Sequence, residues 1–373
     1  MLKQAKLKDA KLSFEDMYEI GCKIGKGTFG LSELYFAKPR NDTYDKNLQV
    51  MRKTKIERLS NEALEELQKE LHLSEMIDCP GVLSFYHSFV KDEYIFTFFP
   101  LYNYGSCYDL LSSEFHHGLP IQLVAVVIRS TILALEYLHD FGIIHRAVKA
   151  SHILLNSCGN VCLSGLSYSL LLPKENQIAY DYPKHAVQML PWVSPEILQQ
   201  NVKGYTYLTD IYSLGITIFE LVSGTVPFHG MKPTEILLQK LCGVVPQFPD
   251  YSKSLDSQSD IVISQSSLDG FENDTEYTTA APILQKHKRI KHLHQLVDAC
   301  LQLDPSARPS AYQLHYCLYI RHVKRKQKEK DFPSFTTMLN PLEPVTKFIP
   351  ADGSYLESNS PTIVSNEAWL FPS

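Results

Sequence analysis

The stretch over residues 145–167 constrains the fold of this chain more than any other part of the sequence. It opens with the run H-R-A-V-K from His145 to Lys149 and closes with G-L-S, thirteen residues beyond His152. Apolar residues at helical spacing over 123–139 lead directly into it and predict a long buried helix. A polar loop supported by a core helix is therefore the first expectation for this chain.

In layout, this stretch resembles the catalytic loop and the metal loop of a protein kinase, H-R-D-L-x-x-x-N and D-F-G. Ala147 stands at the position of the catalytic Asp, while His152 and Gly165 stand at the positions of the magnesium-binding Asn and Asp. Alanine accepts no proton, and a missing general base costs about 10²–10⁴ in rate. Glycine has no side-chain oxygen, and a histidine nitrogen suits zinc or copper better than magnesium. The stretch therefore predicts a pseudokinase with no catalytic residue and no metal ligand, in which His152 braces the loop.

A glycine-rich turn lies between two predicted strands near the start of the chain, over residues 18–35. Glycines at the spacing of its run G-K-G-T-F-G let backbone N–H groups approach phosphate oxygens. The same spacing fits an ordinary hairpin turn equally well, so the turn alone is a weak signal. The candidate nucleotide contacts in this part of the chain are Ile24, Gly25, Lys26, Gly27 and Gly30.

The third predicted strand, over 48–56, offers two basic residues for one role. In kinases a Lys on this strand pairs with a Glu on the next helix, which is predicted here over 60–77 and carries Glu70. The best match to the Lys is Arg52, and Lys53 is the alternative if the register shifts by one residue. Arginine can bridge a carboxylate with two parallel hydrogen bonds, so we expect the pair to be kept. The hinge after Phe99 and the catalytic loop add the candidate contacts Leu101, Tyr102 and Lys149.

Further kinase-like motifs follow in order. The run S-P-E ending at Glu196 resembles the A-P-E end of an activation segment, and Asp210 begins a run resembling the helix whose Asp braces the catalytic loop. Arg308 lies in a late segment whose Arg pairs with that Glu. Structural roles are therefore assigned to Arg146, Pro195, Glu196, Asp210 and Arg308. The order of the motifs predicts an α+β, two-lobed protein-kinase-like fold, with a small β-rich N-lobe carrying one regulatory helix and a larger helical C-lobe.

Composition divides the chain into three parts. We expect an N-terminal arm over 1–17, a pseudokinase domain over 18–320, and a basic patch with an extended tail over 321–373. Within the domain, the N-lobe covers about 18–100 and the C-lobe about 105–320. Residues 250–282 are rich in Ser, Asp and Thr and predict a flexible insertion.

Charge and cysteine content exclude several functional classes. A net charge of −5 over 373 residues predicts no nucleic-acid partner. The apolar run near 123–138 is interrupted by Arg129 and Glu136, so no membrane partner is expected. Eight cysteines without a C-x-x-C pair indicate free thiols in a reducing compartment, which predicts a cytoplasmic and nuclear protein. The basic run over 321–330 fits either a nuclear-localisation signal or the solvated end of a helix.

The variant motifs resemble one family in particular. The runs S-H-I-L at 151–154, L-S-G-L at 163–166 and L-P-W-V-S-P-E at 190–196 are similar to those of the sterile-20-related kinase adaptor (STRAD) pseudokinases. This resemblance implies binding and allosteric activation of a serine/threonine kinase of the liver kinase B type. It also implies a complex with a helical-repeat scaffold of the mouse protein 25 type, and ATP binding without phosphoryl transfer. ATP would then be a structural ligand without a magnesium requirement.

Two departures from the family pattern affect these expectations. The resemblance implies that the C-terminal tail inserts into the scaffold, where the family tail ends Trp-Glu-Phe. This chain keeps the aromatic pair as Trp369 and Phe371, which are therefore the candidate partner-binding residues, but it has a leucine between them and two more residues after them. Some members carry an Arg that can meet phosphates where this chain has Ser167, which predicts that ATP binding is weaker or absent. Two alternatives stay open: a weak active serine/threonine protein kinase, and a diverged paralogue that binds only the scaffold.

Overall fold

The protein is described by a computed structural model that covers most of the chain between residues 14 and 345. The described residues are 14–27, 32–40, 48–173, 177–246, 292–317, 320–321, 334–340 and 342–345. Several sequence predictions lie outside them: the arm before residue 14, Gly30, the insertion over 250–282, the basic run after Arg321, and the tail residues Trp369 and Phe371. The described residues form a β-rich lobe followed by a helical lobe.

The N-lobe is an antiparallel sheet with one long helix. Its strands are β1 (Tyr18–Lys26), β2 (Ser32–Pro39), β3 (Gln49–Lys55), β4 (His87–Lys91) and β5 (Tyr94–Pro100), preceded by a short α1 (Phe14–Met17). They pair in the order β1-β2-β3-β5-β4. The helix α2 (Asn61–Met76) begins after Ser60, whose side-chain oxygen accepts a hydrogen bond from the Ala63 N–H.

One face of this sheet forms the N-lobe core. Successive residues of a strand point to opposite faces, so apolar residues two apart share a face. Phe96 and Phe98 of β5 are such a pair, and they pack with Tyr18, Ala37 and Met51 from the neighbouring strands. The pairing register places Met51 opposite Phe98, which brings the third and fifth strands into one core.

The C-lobe is mainly helical. Its helices are α3 (Cys107–Ser113), α4 (Ile121–Asp140), α5 (Pro195–Leu198), α6 (Leu208–Ser223), α7 (Pro233–Leu241), α8 over 292–300, α9 (Ala311–His315) and α10 (Phe335–Met338). Its short strands are β6 (Gly105–Ser106), β7 (Ile143–Ile144), β8 (Ile153–Leu155), β9 (Val161–Leu163) and β10 (Leu170–Leu171). Single helical turns of the 3₁₀ type lie at Ile56–Arg58, Ala150–His152, Leu166–Tyr168, Lys184–Val187 and Pro305–Ala307.

The helix α4 is the centre of the C-lobe core. Among the described helices, it is long and apolar enough to cross a membrane by length and composition alone. Eleven of its 20 residues are buried inside the lobe, where it contacts α6, α9 and β9. This burial on several sides explains its apolar composition as that of a core helix.

The predicted two-lobed α+β architecture is confirmed, and one part of the C-terminal prediction is wrong. The sequence predicted a basic patch over 321–330 and an extended tail from Asp331 onwards. Within the tail, α10 (Phe335–Met338) is helical, and the side chain of the preceding Ser334 accepts a hydrogen bond from the Thr337 N–H. Phe335 and Leu339 are buried in the C-lobe core. Burial of these two side chains against α4 outweighs the weak helical signal of so short a segment.

Candidate functional site

A cleft between the two lobes brings together five of the nine predicted nucleotide contacts that lie in the described residues. On the sheet side it is lined by Ile24, Leu34 and Val50, and on the C-lobe side by Leu154. Phe99 from β5 also lines it. These side chains are all apolar, so the cleft offers a slot that suits the faces of a planar ring.

The predicted contacts divide into two groups. Those that line the cleft are Ile24, Gly27, Arg52, Glu70 and Tyr102. Among the described candidates, Gly25, Lys26, Leu101 and Lys149 do not line it. Sequence reasoning missed the lining residues Leu34, Val50, Leu83, Leu154, Ser164 and Tyr168. Most of these are ordinary core-type residues, and only the fold distinguishes a residue facing a cleft from one facing the core.

The hinge offers a backbone donor at the edge of the cleft. Within the described residues, the N–H of Tyr102 donates no hydrogen bond, while its carbonyl accepts one from the Gly105 N–H at 2.9 Å. The Tyr102 hydroxyl lies against the Cys162 thiol, and burial raises the pKa of this hydroxyl well above its usual value. A ring held in the apolar slot can therefore accept a hydrogen bond from the hinge backbone.

The basic residue that pairs with Glu70 is Arg52. Its Nη1 lies 2.9 Å from Oε1 and 3.0 Å from Oε2 of Glu70, and its guanidinium carbon lies 4.9 Å from the centre of the Phe99 ring. Lys53 points to the opposite face, with Nζ 4.2 Å from the centre of the Tyr94 ring. The expected pair of parallel hydrogen bonds is not formed, because one nitrogen reaches both oxygens. The remaining Nε and Nη2 of Arg52 are buried and have no hydrogen-bond partner among the described residues. Since Arg52 lines the cleft, these donors suit an anionic ligand there.

The His152 imidazole fills the space into which a metal-binding side chain at residue 165 would project. Gly165 has φ +93°, and a Cβ added to it would lie 2.7 Å from Nδ1 of His152. His152 Nδ1 is 2.7 Å from the Ala147 carbonyl oxygen, so it carries the proton and donates it to that oxygen. The ring also stacks on Tyr168, with the ring centres 5.8 Å apart. The imidazole and a side chain at residue 165 therefore exclude each other in this arrangement.

Asp210 of α6 holds the loop at His145 and Arg146, which corresponds to the catalytic loop of a kinase. One carboxylate oxygen accepts hydrogen bonds from the His145 N–H at 2.8 Å and contacts His139 Nε2 at 2.9 Å, and the other accepts from the Arg146 N–H at 2.7 Å. Burial alone would raise the pKa of Asp210, but its contacts with His139 and His145 hold the pKa below its usual value. A kinase-like loop conformation is thus maintained although the catalytic carboxylate is absent.

The Arg146 side chain connects this loop to the activation segment. Its Nε donates to the Tyr168 carbonyl at 2.6 Å, and Nη1 donates to the Asp181 carboxylate at 3.2 Å and to the Tyr205 hydroxyl at 3.2 Å. Ala179 and Tyr205 form an isolated antiparallel bridge next to this contact. The activation segment therefore has an ordered path across the C-lobe around residues 179–181.

The Lys149 side chain faces a buried carboxylate rather than the nucleotide cleft. Burial lowers the pKa of Lys149 to about 8 and raises that of Glu220 on α6 to about 7, and each charge partly offsets the burial of the other. Glu220 Oε2 accepts hydrogen bonds from the Trp192 indole N–H at 3.0 Å and from the Ala150 N–H at 3.2 Å. Glu220 was missed in the sequence, although a carboxylate within the apolar run of α6 is a signal for a buried functional or structural group.

A second buried ion pair holds the end of the activation segment. Arg308 Nη1 and Nη2 donate to the two Glu196 oxygens at 2.7 and 2.8 Å, which is the parallel arrangement that Arg52 lacks. The Arg308 guanidinium also lies 5.0 Å from the centre of the Tyr212 ring. Pro195 begins α5 and Glu196 follows it, so the turn of the predicted S-P-E motif is the start of a helix.

Comparison with known sequences identifies the family of this fold and site. Residues 18–320 match the family described as the protein kinase domain. Human STE20-related kinase adapter protein alpha is 35% identical over 356 residues, covering 92% of this chain and 80% of that protein. The human beta protein is 35% identical over 337 residues, covering 87% and 79%, and the chicken alpha protein is 34% identical over 346 residues, covering 89% and 86%. The chain belongs to the STE20-related kinase adapter family.

Within the STE20-related kinase adapter family, the kinase frame of this chain is kept while its reactive positions are altered. The Arg52–Glu70 pair joins β3 to α2 within the N-lobe, and the Glu196–Arg308 pair holds the end of the activation segment in the C-lobe. Ala147 has no proton acceptor in its side chain, and Gly165 has no side-chain metal ligand. The human and chicken relatives are named kinase adapter proteins.

Proposed function

We propose that this chain is a catalytically inactive adaptor that binds a serine/threonine kinase of the liver kinase B type and activates it allosterically. A helical-repeat scaffold of the mouse protein 25 type would be the third component. The observation that carries the proposal is the His152 imidazole lying where a metal ligand at residue 165 would project. A chain that retains the kinase fold and lacks the catalytic base and the metal ligands would act on another kinase by binding it rather than by phosphorylating it.

Exposed apolar side chains on the activation segment and on α7 support a protein partner. Isolated exposed apolar residues are common, but several in one region favour an interaction surface. On the activation segment, the exposed ones are Leu171, Ile178, Tyr180 and Val187, and around α7 they are Met231, Leu238 and Val244. We infer that the partner kinase contacts these side chains much as a protein substrate would.

Reconstitution with the partner tests this proposal directly. The chain, the partner kinase and the scaffold are co-expressed, and the activity of the purified partner is measured with and without the chain. The proposal expects a stable complex in which the partner is more active. Leu238→Asp on α7 is expected to weaken the complex, whereas Val90→Asp, at a similarly exposed position on the N-lobe sheet, is the matched control. An isolated complex whose partner activity equals that of the partner alone would refute the activator role.

We place ATP in the cleft as a structural ligand that needs no magnesium. The apolar slot suits the base, and the buried Nε and Nη2 of Arg52 suit a phosphate oxygen. A ligand that binds only the folded state stabilises it by about 2.7 kcal/mol at one hundred times its Kd. Nucleotide would therefore hold the two lobes together without taking part in a reaction.

Thermal unfolding with increasing ATP, with EDTA or with magnesium, tests this placement. We expect the same rise in melting temperature under both conditions. Arg52→Met should abolish the rise, while Lys53→Met, which removes the same charge from the opposite face of β3, should not. A rise seen only with magnesium would contradict the proposal and indicate a conventional metal–nucleotide site.

The Arg52–Glu70 pair supports a second candidate function, that of a weak active protein kinase. This candidate expects transfer of labelled phosphate to a generic protein substrate by the purified chain, and loss of transfer in Arg52→Ala. The adaptor proposal expects no transfer by the wild-type chain under the same conditions.

A further inference from the structure

Lys240 is completely buried in the C-lobe and takes no part in the cleft or in the kinase-like motifs. It lies on α7, two residues after Leu238, which is 64% exposed, whereas Lys240 is 0% exposed. Residues two apart on a helix point about 200° apart around its axis, which follows from 3.6 residues per turn. The helix therefore presents Leu238 to solvent and inserts Lys240 into the lobe.

The Lys240 amine reaches the end of the activation segment. Its Nζ donates to the Leu190 carbonyl at 3.0 Å and to the Pro191 carbonyl at 2.5 Å, and it lies 4.7 Å from the centre of the Tyr212 ring. Burial lowers the pKa of Lys240 well below its usual value. A lysine keeps at least two N–H donors whether or not it is protonated. The two carbonyls therefore have their donor in either protonation state.

Neighbouring contacts complete the attachment of this segment. The Ser213 hydroxyl donates to the Trp192 carbonyl at 2.9 Å, and the Trp192 indole N–H donates to Glu220 at 3.0 Å. The carbonyls of residues 190, 191 and 192 are thus all bound by side chains of α6 and α7. None of these residues lines the nucleotide cleft.

We propose that Lys240 is a positioning residue that joins α7 to residues 190–192 as one preformed docking surface for the partner kinase. The shape of this surface is independent of the nucleotide cleft, because its attachments lie within the C-lobe. The identity of the partner rests on the proposed function above, whereas the joining of the two segments does not. The partner contacts the exposed side of α7 and never Lys240 itself.

Hydrogen exchange of the full-length chain tests the joining directly. Lys240→Met removes the donors at similar side-chain length, Lys240→Arg keeps donors, and Lys232→Met removes an exposed lysine next to the same helix. We expect exchange over 190–193 and 236–242 to accelerate at least tenfold in Lys240→Met, which corresponds to about 1.4 kcal/mol. Lys232→Met should be unchanged, and Lys240→Arg should recover much of the protection. Should Lys240→Met not fold, Lys240→Gln, which keeps one donor group, takes its place.

Three results would overturn the inference. Unchanged exchange over 190–193 in a folded Lys240→Met chain would remove the positioning role. A change of more than twofold over 190–193 in Arg52→Met would remove the independence from the cleft. Equal binding of the partner kinase to Lys240→Met and to the wild-type chain would show that the surface does not depend on Lys240. A wild-type chain that binds no partner kinase would instead refute the proposed function, and the exchange comparison would still decide the role of Lys240.

Discussion

Substitution of Gly165 by alanine tests whether the His152 imidazole excludes a side chain at the metal-loop position. The added Cβ meets two costs. A non-glycine residue with φ near +93° is strained by about 1–2 kcal/mol. A Cβ 2.7 Å from His152 Nδ1 overpacks a buried site, which costs typically about 1–3 kcal/mol. We therefore expect Gly165→Ala to lower the free energy of unfolding by about 2–5 kcal/mol.

A control and a double-mutant cycle separate these two costs. Gly159 has φ +86°, and a Cβ added there would meet no atom within 4 Å, so Gly159→Ala reports the backbone strain alone. In a His152→Ala background, Gly165→Ala should cost little more than Gly159→Ala, because the imidazole is gone. The coupling energy between residues 152 and 165 should therefore be about 1–3 kcal/mol.

Urea or guanidinium unfolding of the four chains of the cycle supplies the assay, with the chains compared under one buffer condition. Additive effects, with a coupling energy below about 0.5 kcal/mol, would refute the reasoning. That result would mean that the His152 ring moves aside at no cost, and the metal position would then be accessible.

Three further predictions concern buried groups. Arg308→Ala leaves the Glu196 carboxylate buried without its partner and should cost about 3–5 kcal/mol in chemical unfolding. The pKa of Glu220 is raised from 4.5 to about 7, so the folded state binds its proton more tightly than the unfolded state. The free energy of unfolding of the wild-type chain should therefore fall as the pH rises from 4.5 to 7, by about 3 kcal/mol more than that of Glu220→Gln. Equal pH dependence of unfolding in the wild-type chain and in Glu220→Gln would contradict this. Leu339→Ala should cost about 2–5 kcal/mol in the same assay, because Leu339 is 0% exposed, and an unchanged stability would place the tail outside the folded domain.

Local patterns in the sequence were sufficient to predict much of the fold. The helix predicted over 60–77 is observed as α2 (Asn61–Met76), because its apolar spacing and the Ser60 cap are both encoded within a few residues. The tail segment at α10 was predicted wrongly because its four residues carry no periodic signal, and its structure depends on a distant helix.

The candidate site was predictable to a smaller extent. The choice between Arg52 and Lys53 stayed open in the sequence, since adjacent strand residues differ only in the face they occupy. The pairing register decides it by directing Arg52 to Glu70 and Lys53 to Tyr94. Lys149 was expected at the nucleotide cleft because of its place in the motif, yet its side chain lies near Glu220 and Trp192.

The amino-acid sequence by itself determined which chemical groups are absent, since a missing carboxylate at Ala147 or Gly165 is a property of the covalent chain. The sequence also identified the family, because the order and spacing of the motifs can be read without the structure. Only the tertiary structure decided that the His152 ring fills the space beside Gly165 and that the Lys240 amine holds two carbonyls fifty residues earlier in the chain. Such contacts join residues far apart in sequence, and their geometry is set by the packing of whole helices and loops rather than by any local pattern.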